Sequence, residues 1–291
     1  MMHIKGGSFL MGSDHHYPEE APVRRVEVSD FMIDTTPVTN EEFSRFIHET
    51  GHVTLAEIPP DPADYPGMPP ERAIAGSLVF SPPSGPVPLM HPIWWRFIFG
   101  ANWRHPEGPD SNIDHRPTHP VVHIAPSDAQ AYADWAGKML PTENEWEYAA
   151  RGGLESKEFA WGDVREPDGR IMANTWQGQF PWKSAKPAGE FRTSPVGSFP
   201  ANDFGLHDMI GNVWEWTADW FSLNVTEPRS GCCAPRTASD AGTPLSPRRV
   251  IKGGSHLCAP EYCQRYRPAA RYPQPIDSPT SHIGFRCIRR L

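Results

Sequence analysis

The sequence predicts a single α+β domain with low regular secondary structure, in which loops outnumber helices and strands. Hydrophobic residues make up 38% of the 291 residues and include 11 Trp, which is enough apolar surface to bury a core and excludes a disordered chain. The 34 Pro and 24 Gly limit helices and strands to short stretches. Because patterns typical of both element types occur along the chain, the predicted class is α+β.

Strand patterns lie near the two ends of the chain. Residues 9–11 and 23–28 alternate in part between apolar and polar side chains and are bounded by Gly, Ser, Asp and Pro, which predicts an opening sheet. Residues 250–252 and 284–288 are similar runs separated by long loops. The C-terminal third is therefore predicted to be irregular backbone on a small sheet.

Three capping boxes predict the helices. In each of them a Ser or Thr begins the helix, and a Glu or Gln three residues later reaches back to it. The three pairs are Thr39 with Glu42, Ser127 with Gln130, and Thr142 with Glu145. Each helix is predicted to be short and to stop at a following glycine: Gly51, Gly137, and Gly152 with Gly153.

A Pro-rich stretch occupies about residues 55–92 and could be an interdomain linker. We interpret it as an excursion of one domain that spans residues 1–291. The reason is that residues 94–99, with the sequence WWRFIF, follow directly and would expose a large apolar patch unless they packed against the body.

The charge, the N-terminus and the cysteine count limit the function classes. A net charge of −8 without a Lys or Arg block argues against a nucleic-acid partner. The first residues lack the apolar stretch of a secretory signal, and no apolar run reaches the roughly 18 residues needed to span a bilayer, so we expect a cytoplasmic protein without a membrane partner. Five cysteines, an odd number, favour metal binding or catalysis over a disulfide framework.

Cys258 and Cys263 are the sharpest local feature. Residues five apart on a regular strand point to opposite faces, but Pro260 is incompatible with a paired central strand, so the segment must bend and could bring the sulfurs together. Two soft thiolates without a third ligand nearby in the sequence suit Cu(I) better than tetrahedral zinc. Two buried core cysteines or a short-loop disulfide are the alternatives on spacing alone.

The segment around these cysteines resembles the formylglycine-generating enzymes. The blocks that carry the resemblance follow the family order: GANWRHPEGPDS from residue 100, LPTENEWEY from 140, NTWQG from 174, GNVWEW from 211, and GGSHLCAPEYC with RYR, AAR and GFRC from 253 to 287. The first block and the cysteine pair mark the catalytic branch. The resemblance covers about residues 7–286 and implies a single α+β domain with a C-type-lectin-like fold.

The resemblance implies an O2-dependent oxidase that converts a sulfatase cysteine, within Cys-x-Pro-x-Arg of the unfolded chain, into Cα-formylglycine. By the same resemblance Cys258 and Cys263 hold Cu(I), and the substrate thiolate joins as a third ligand. The expected partners are therefore an unfolded sulfatase polypeptide, O2 and a thiol reductant. A monomer is the simplest expectation.

The resemblance also names residues around the two cysteines. Ser255 and Trp214 match positions near the reactive centre, and substrate binding is expected of five residues: Trp103, Arg104, Tyr262, Arg267 and Arg271. The tryptophans could equally be core residues, and Arg267 and Arg271 could be structural ion-pair partners. His282 stands where relatives usually have Asn, and it could alter the rate or the peptide preference.

Structural Ca2+ is a further implication of the resemblance. One site is matched by four residues, with two carboxylates and two carbonyls: Asp208, Gly211, Val213 and Glu215. A second site is matched by Asn174 and Thr175, but Ala188 and Glu190 stand where relatives have Asp and an aromatic residue. Glu190 could supply the carboxylate there. Ordinary loop capping by Asn and Asp is the alternative for both sites.

The remaining histidines and cysteines are expected to be incidental. Three histidines are spaced four residues apart: His115, His119 and His123. The prolines between them exclude the helix that would align them as metal ligands. Cys232 and Cys233 are adjacent and seldom bridge for geometric reasons. Cys287 matches a position that is disulfide-paired in secreted relatives, whereas Ala133 stands at the partner position here.

Two alternatives to the oxidase remain. A catalytically silent paralogue that binds sulfatases or other unfolded chains would be favoured by loss of an active cysteine, but both are present. An iron-dependent sulfur oxygenase shares the fold, but those relatives carry an additional histidine-bearing helical domain that 291 residues with this N-terminus cannot supply.

Overall fold

A computed structural model describes residues 1–65, 67–187, 191–223 and 247–291. Within these ranges the chain forms three short helices: α1 (Asn40–Thr50), α2 (Pro126–Trp135) and α3 (Glu143–Arg151). The strands are β1 (Met2–Ile4), β2 (Gly7–Met11), β3 (Arg24–Val28), β4 (Phe31–Ile33), β5 (Gly76–Phe80), β6 (Trp95–Phe99), β7 (Gly178–Gln179), β8 (Lys183–Ser184), β9 (Trp214–Trp220), β10 (Arg248–Lys252), β11 (Arg271–Pro275), β12 (Ile283–Gly284) and β13 (Ile288–Arg290). This mixture of small elements confirms the predicted α+β class.

Two of the three predicted capping boxes are confirmed. The Glu42 amide donates to Thr39 Oγ1 over 3.3 Å, and the Glu42 carboxylate accepts from the Thr39 amide over 2.9 Å. Thr142 and Glu145 form the same reciprocal pair at the start of α3. Gly51 and Gly152 end α1 and α3 in the left-handed conformation, as predicted.

The predicted box of Ser127 with Gln130 is wrong, although the helix itself exists. α2 begins at Pro126, so Ser127 already lies inside the first turn. A proline at the first helical position has the right φ and lacks the amide that would stay unpaired, so the helix begins two residues earlier than predicted, with Ala125 as the N-cap. The Asp128 carboxylate then accepts from the Ala125 amide over 3.0 Å, and the Gln130 side chain donates to Asp134.

Two sheets and three hairpins organise the strands. A three-stranded antiparallel sheet has the order β1-β4-β13, and a four-stranded sheet has the order β11-β10-β9-β12, in which β12 runs parallel to β9. The pairs β2-β3, β5-β6 and β7-β8 are two-stranded. The loop between the antiparallel neighbours β10 and β11 contains both Cys258 and Cys263.

The predicted strand over residues 284–288 is wrong as a continuous element. β12 ends at Gly284 in the four-stranded sheet, and β13 begins at Ile288 in the three-stranded sheet. The intervening residues Phe285, Arg286 and Cys287 cross between the two sheets and are completely buried. The Arg286 guanidinium binds the buried Glu215 carboxylate through two nitrogens, at 2.7 and 2.8 Å, so this crossing is fixed by an ion pair.

A large core cluster joins the helices to both sheets, and a smaller aromatic cluster lies beside it. The smaller cluster contains Phe80, Trp94, Trp176, Phe180, Leu257 and Ala259. Trp94 thus packs against the body, whereas Phe97 and Phe99 on the β5-β6 hairpin remain 49% and 45% exposed. No helix within the described ranges is long and apolar enough to cross a membrane.

Candidate active site

The two sulfurs of Cys258 and Cys263 lie 3.0 Å apart. The bend that brings them together is a single helical turn, since the amides of Tyr262 and Cys263 both donate to the Ala259 carbonyl, over 3.1 and 2.8 Å. Cys258 is buried and Cys263 is half-buried, and both are free thiols. The turn therefore presents two converging soft ligands, one of which is accessible from outside.

The two thiols have different acidities. A hydrogen bond donated by Cys258, together with the nearby positive charge of Arg265, lowers the pKa of Cys263 to about 7. Burial, and the same hydrogen bond, raise the pKa of the Cys258 thiol well above its ordinary value. Cys263 is thus the thiolate of the pair at neutral pH, and Cys258 is the proton donor to it.

The backbone before the cysteines is built for close packing. Gly254 has a positive φ of 71°, and a Cβ there would lie 2.8 Å from the Arg265 carbonyl oxygen, so only glycine fits. Ser255 follows, completely buried, and its hydroxyl accepts from the Leu257 amide over 3.2 Å. Its carbonyl accepts from the Cys258 amide over 2.9 Å. Ser255 therefore shapes the turn that carries Cys258.

An aromatic wall stands next to Cys263. Tyr262 is 38% exposed and stacks on Phe180, with ring centroids 4.6 Å apart and planes 10° apart. Trp94 meets Tyr262 edge to face at 5.2 Å. Burial raises the pKa of Tyr262 to about 12, so its hydroxyl stays protonated. A molecule that approaches the Cys263 thiol therefore meets the apolar ring and the neutral hydroxyl of Tyr262.

The other predicted residues near the centre occupy different environments. Trp214 is buried at the start of β9, 6.0 Å from the Tyr272 ring. Trp103 is also buried, packed edge to face against Phe43, so both tryptophans are core residues by position. Arg104 is half-exposed, with its guanidinium 4.2 Å from the Trp103 ring and 2.6 Å from the Glu57 carboxylate.

His256 precedes Cys258 by two residues, and His282 lies close enough to His256 to interact with it electrostatically. The amide and the ring Nδ1 of His256 both lie within hydrogen-bonding distance of the Asn212 carbonyl oxygen, at 3.0 and 2.8 Å. Burial lowers the pKa of His256 to about 3, so the ring is neutral. His282 lies 4.7 Å from the Trp95 ring, and its Nδ1 is 2.6 Å from Thr280 Oγ1.

Arg267 and Arg271, expected to bind substrate, are instead bound to buried carboxylates. Arg267 is 2% exposed and makes two bonds to Glu20, of 2.6 and 2.8 Å. Arg271 is 4% exposed and pairs with Glu143 at 2.7 Å. The structural alternative that the sequence left open therefore applies to both arginines, because a buried guanidinium with a bound carboxylate is not available to a peptide.

The first predicted calcium loop has one carboxylate without an ion pair. Burial, and the charge of Glu215, raise the pKa of Asp208. Asp208 accepts one amide hydrogen bond, from Gly197 over 2.7 Å, and within the described residues it has no salt bridge. Glu215 is bound by Arg286 and by the Trp146 indole N–H. Asp208 is thus the carboxylate of the predicted set that is open to a cation, whereas both oxygens of Glu215 are already bound to Arg286.

The second predicted calcium site does not fit. The Asn174 amide oxygen already accepts from the Lys186 ammonium over 2.5 Å. Thr175 Oγ1 accepts from the Gln177 side chain over 3.3 Å. Ala188 and Glu190 lie outside the described residues, as do Cys232 and Cys233. A divalent cation at Asn174 would have to displace a charged group from the same oxygen.

The spaced histidines form no metal site in the described part of the chain. His119 Nδ1 lies 3.0 Å from Thr193 Oγ1, while the His123 ring lies 2.7 Å from Ser77 Oγ and 2.9 Å from the Pro106 carbonyl oxygen. No group of three or more His, Cys, Asp or Glu residues there could hold a metal ion. Cys287 is a buried free thiol.

The sequence reasoning missed Tyr17 and Arg265. The Arg265 guanidinium stacks 3.6 Å from the Tyr17 ring and binds Glu19 at 2.6 Å, while its charge helps to keep Cys263 ionised. The position of Arg265, two residues after Cys263, was a signal that could have been used. Tyr17 lies at the opposite end of the sequence, so no local pattern could have indicated it.

This fold and its paired thiols define one class of protein. The whole chain, residues 1–291, matches the family model described as sulfatase-modifying factor enzyme 1-like domain. The structure is similar to that of PvdO from Pseudomonas aeruginosa, with a TM-score of 0.65 and 24% identity over 99% of this chain and 93% of that one. The latter similarity concerns the fold alone, and it confirms the predicted architecture.

The chain belongs to the sulfatase-modifying factor family, which confirms the predicted resemblance. A relative named formylglycine-generating enzyme, from Mycobacterium tuberculosis, is 54% identical over 99% of this chain and 97% of its own length. The family also contains a mouse protein named inactive C-alpha-formylglycine-generating enzyme 2, which is 37% identical over 99% of this chain and 84% of its own length.

Proposed function

We propose that this protein is an oxidase that uses Cu(I) and O2 to convert the cysteine of a Cys-x-Pro-x-Arg motif in an unfolded sulfatase into Cα-formylglycine. The observation that carries the proposal is the approach of Cys258 and Cys263 to 3.0 Å next to the partly exposed ring of Tyr262. The names of the similar relatives support the reaction class and the sulfatase substrate.

Cys258 and Cys263 are the residues that would hold the copper ion. Their softness and their number suit Cu(I), and bound copper would supply the electron transfer and O2 chemistry that side chains lack. The low pKa of Cys263 makes one thiolate available at neutral pH before any metal arrives. The burial of Cys258 keeps the second sulfur away from competing thiols.

The rest of the site positions the substrate peptide. Tyr262 and the rings behind it, Phe180 and Trp94, give a flat apolar surface on which the proline of the motif can pack. The half-exposed Arg104 lies on a different loop and can contact the peptide backbone or an acidic residue. Ser255 acts from within the core, where it bonds the backbone of Leu257 and Cys258, and Trp214 is a buried ring beside Tyr272.

The reaction balances with one O2 and two equivalents of thiol reductant. The substrate side chain loses two electrons and two protons to become a thioaldehyde, which water hydrolyses to the aldehyde and hydrogen sulfide. The reductant supplies the other two electrons as it becomes a disulfide, and O2 leaves as water, one molecule of which balances the hydrolysis. The site must therefore exclude the reductant from the oxidising position, which the aromatic wall favours.

A structural Ca2+ beside Asp208 is part of the proposal. Asp208, Glu215 and the carbonyls of Gly211 and Val213 would hold it, and the support for this is that Asp208 is buried and has no salt bridge within the described residues. The ion would stabilise the loop that leads into β9. We further propose that the protein is cytoplasmic, because the chemistry needs its cysteines as thiols. A monomer is the simplest arrangement that presents this site to a peptide.

The test is mass spectrometry of a Cys-x-Pro-x-Arg peptide incubated with purified protein, Cu(I), a thiol reductant and air. The expected result is a product whose cysteine has lost two hydrogens and exchanged its sulfur for oxygen, and which forms a hydrazone with an added hydrazine. The Cys263→Ala variant should give no product. The Cys287→Ala variant, which removes a buried thiol elsewhere in the core, should retain the activity.

Two results would contradict the oxidase. An intact peptide that nevertheless binds, as measured by fluorescence anisotropy of a labelled peptide, would favour the catalytically silent paralogue. Full copper-dependent turnover by Cys263→Ala would exclude the thiol pair as the copper site.

A further inference from the structure

The Lys186 ammonium group lies next to the side chain of Asn174. Asn174 is 1% exposed, and its side-chain oxygen accepts a hydrogen bond of 2.5 Å from the Lys186 ammonium. Because the donor is a charged ammonium group, this is a charge-assisted hydrogen bond, and such bonds are about twice as strong as neutral ones. The buried oxygen is thereby satisfied without a metal ion.

The local backbone fixes the position of Lys186. The amide of Lys186 donates to Ser184 Oγ over 3.0 Å, and the preceding Ala185 amide donates to the Gln177 carbonyl over 2.7 Å. Both contacts lie at the open end of the β7-β8 hairpin. These backbone contacts fix the start of the Lys186 side chain at the hairpin, from which its ammonium group reaches Asn174.

Asn174 connects this ammonium to the candidate active site. Its backbone carbonyl accepts from the Asn212 amide over 2.8 Å, and the Asn212 carbonyl in turn accepts from the His256 amide, two residues before Cys258. A second connection follows the chain, since the Trp176 amide donates to the Cys258 carbonyl over 3.0 Å. Order in the Asn174 loop is thus transmitted to the backbone that carries Cys258.

We propose that Lys186 is a built-in replacement for the second calcium ion that the family resemblance implies, so that this loop is ordered by an ammonium group and binds no Ca2+. Calcium needs roughly six to eight oxygen ligands at about 2.3–2.6 Å, and the same Asn174 oxygen cannot serve it while it bonds a positive charge. A tethered cation also makes the loop independent of the calcium concentration.

The first experiment measures thermal unfolding of the full chain in EDTA and in millimolar Ca2+. Lys186→Met should lower Tm by about 3–8 °C in EDTA, as expected for the loss of one charge-assisted hydrogen bond to a buried group in a domain of this size. The matched control is Lys183→Met, which removes an exposed lysine from the same hairpin and should leave Tm within about 1 °C of the wild type. An unchanged Tm for Lys186→Met would overturn the proposal.

The second experiment does not require the Lys186 variant to fold. Isothermal titration calorimetry with CaCl2 compares metal-free wild-type protein with Asp208→Ala, which removes the side-chain ligand of the other calcium site. The Asp208→Ala protein should bind no Ca2+, whether or not the wild type binds one ion. One Ca2+ bound by Asp208→Ala and lost on adding Asn174→Ala would overturn the proposal. Neither readout involves copper or aldehyde formation, so the result is independent of the proposed oxidase activity.

Discussion

The segment from the end of β10 to the first residue of β11 contains two stretches that are fixed by different kinds of contact. Residues 258–263 form a turn that is packed by aromatic rings and by the contact between two thiols. Residues 265–271 are fixed by charge, with Arg265, Arg267 and Arg271 bound to Glu19, Glu20 and Glu143. The first stretch carries the candidate chemistry, and the second carries none of the groups that react.

The residues that make the backbone rigid are therefore different from the residues that carry the candidate chemistry. Buried ion pairs fix a backbone because a partner that moves away leaves an uncompensated charge in a low dielectric. The thiol turn contains no buried carboxylate or guanidinium, since its Glu261 is exposed, so its sulfurs can accept a soft metal ion and a third sulfur. The neighbouring stretch affects the turn through its charge, since the positive charge of Arg265 lowers the pKa of Cys263.

The largest expected effect comes from breaking the charged stretch. Arg267→Met should lower the free energy of unfolding by about 3–5 kcal/mol, since it leaves the Glu20 carboxylate buried without a partner. Urea unfolding followed by tryptophan fluorescence measures this loss. The double variant with Glu20→Leu should recover most of it, and Arg25→Met, which breaks an exposed pair with Glu155, should change little. Equal losses for Arg267→Met and Arg25→Met would refute the assigned role.

An intermediate effect is expected in the thiol turn. Cys258→Ala removes the hydrogen-bond donor, so the pKa of Cys263 should rise from about 7 toward its ordinary value of 9.0. At pH 7 the thiolate fraction, and with it the rate of alkylation by iodoacetamide in metal-free protein, should fall roughly 10- to 50-fold. Peptide mapping by mass spectrometry assigns the rate to Cys263. An unchanged rate would mean that Arg265 alone controls the acidity of Cys263.

The last prediction concerns two buried, neutral histidines, His123 and His256. Burial lowers the pKa of His123 to about 4 and that of His256 to about 3. The unfolded chain therefore binds more protons than the folded protein below about pH 6.5, and stability is lost as the pH falls through that value. Between about pH 6.5 and 5 each histidine should reduce the free energy of unfolding by about 2 kcal/mol.

Urea unfolding across this pH range checks the expectation for the histidines. The His123→Gln variant should lose less of its free energy of unfolding over this pH range than the wild type, by the contribution of one histidine. The control His15→Gln changes an exposed histidine and should show the same pH dependence as the wild type. A wild-type stability that is flat from about pH 6.5 to 5 would contradict the neutral state of both rings.

Local features of the candidate site were predictable, and long-range partners were not. Pro260 correctly indicated a bend between the two cysteines, because its ring excludes a continuous strand. The ion pairs of Arg267 with Glu20 and of Arg271 with Glu143 were not predictable, since no sequence pattern shows that these residues will meet. Likewise, the Asn at residue 174 suggested calcium, and only its contact with Lys186 revealed another cation.

By itself the sequence determined the short capped helices at Thr39 and Thr142, the converging cysteines and the family to which the chain belongs, because each depends on residues that lie close together in the chain or in a fixed order along it. The tertiary structure decided which thiol is ionised, which arginines are structural and which loop has its own ammonium. Those properties depend on burial and on the sign of the nearest charge, and both are set by residues that folding brings together from distant parts of the chain.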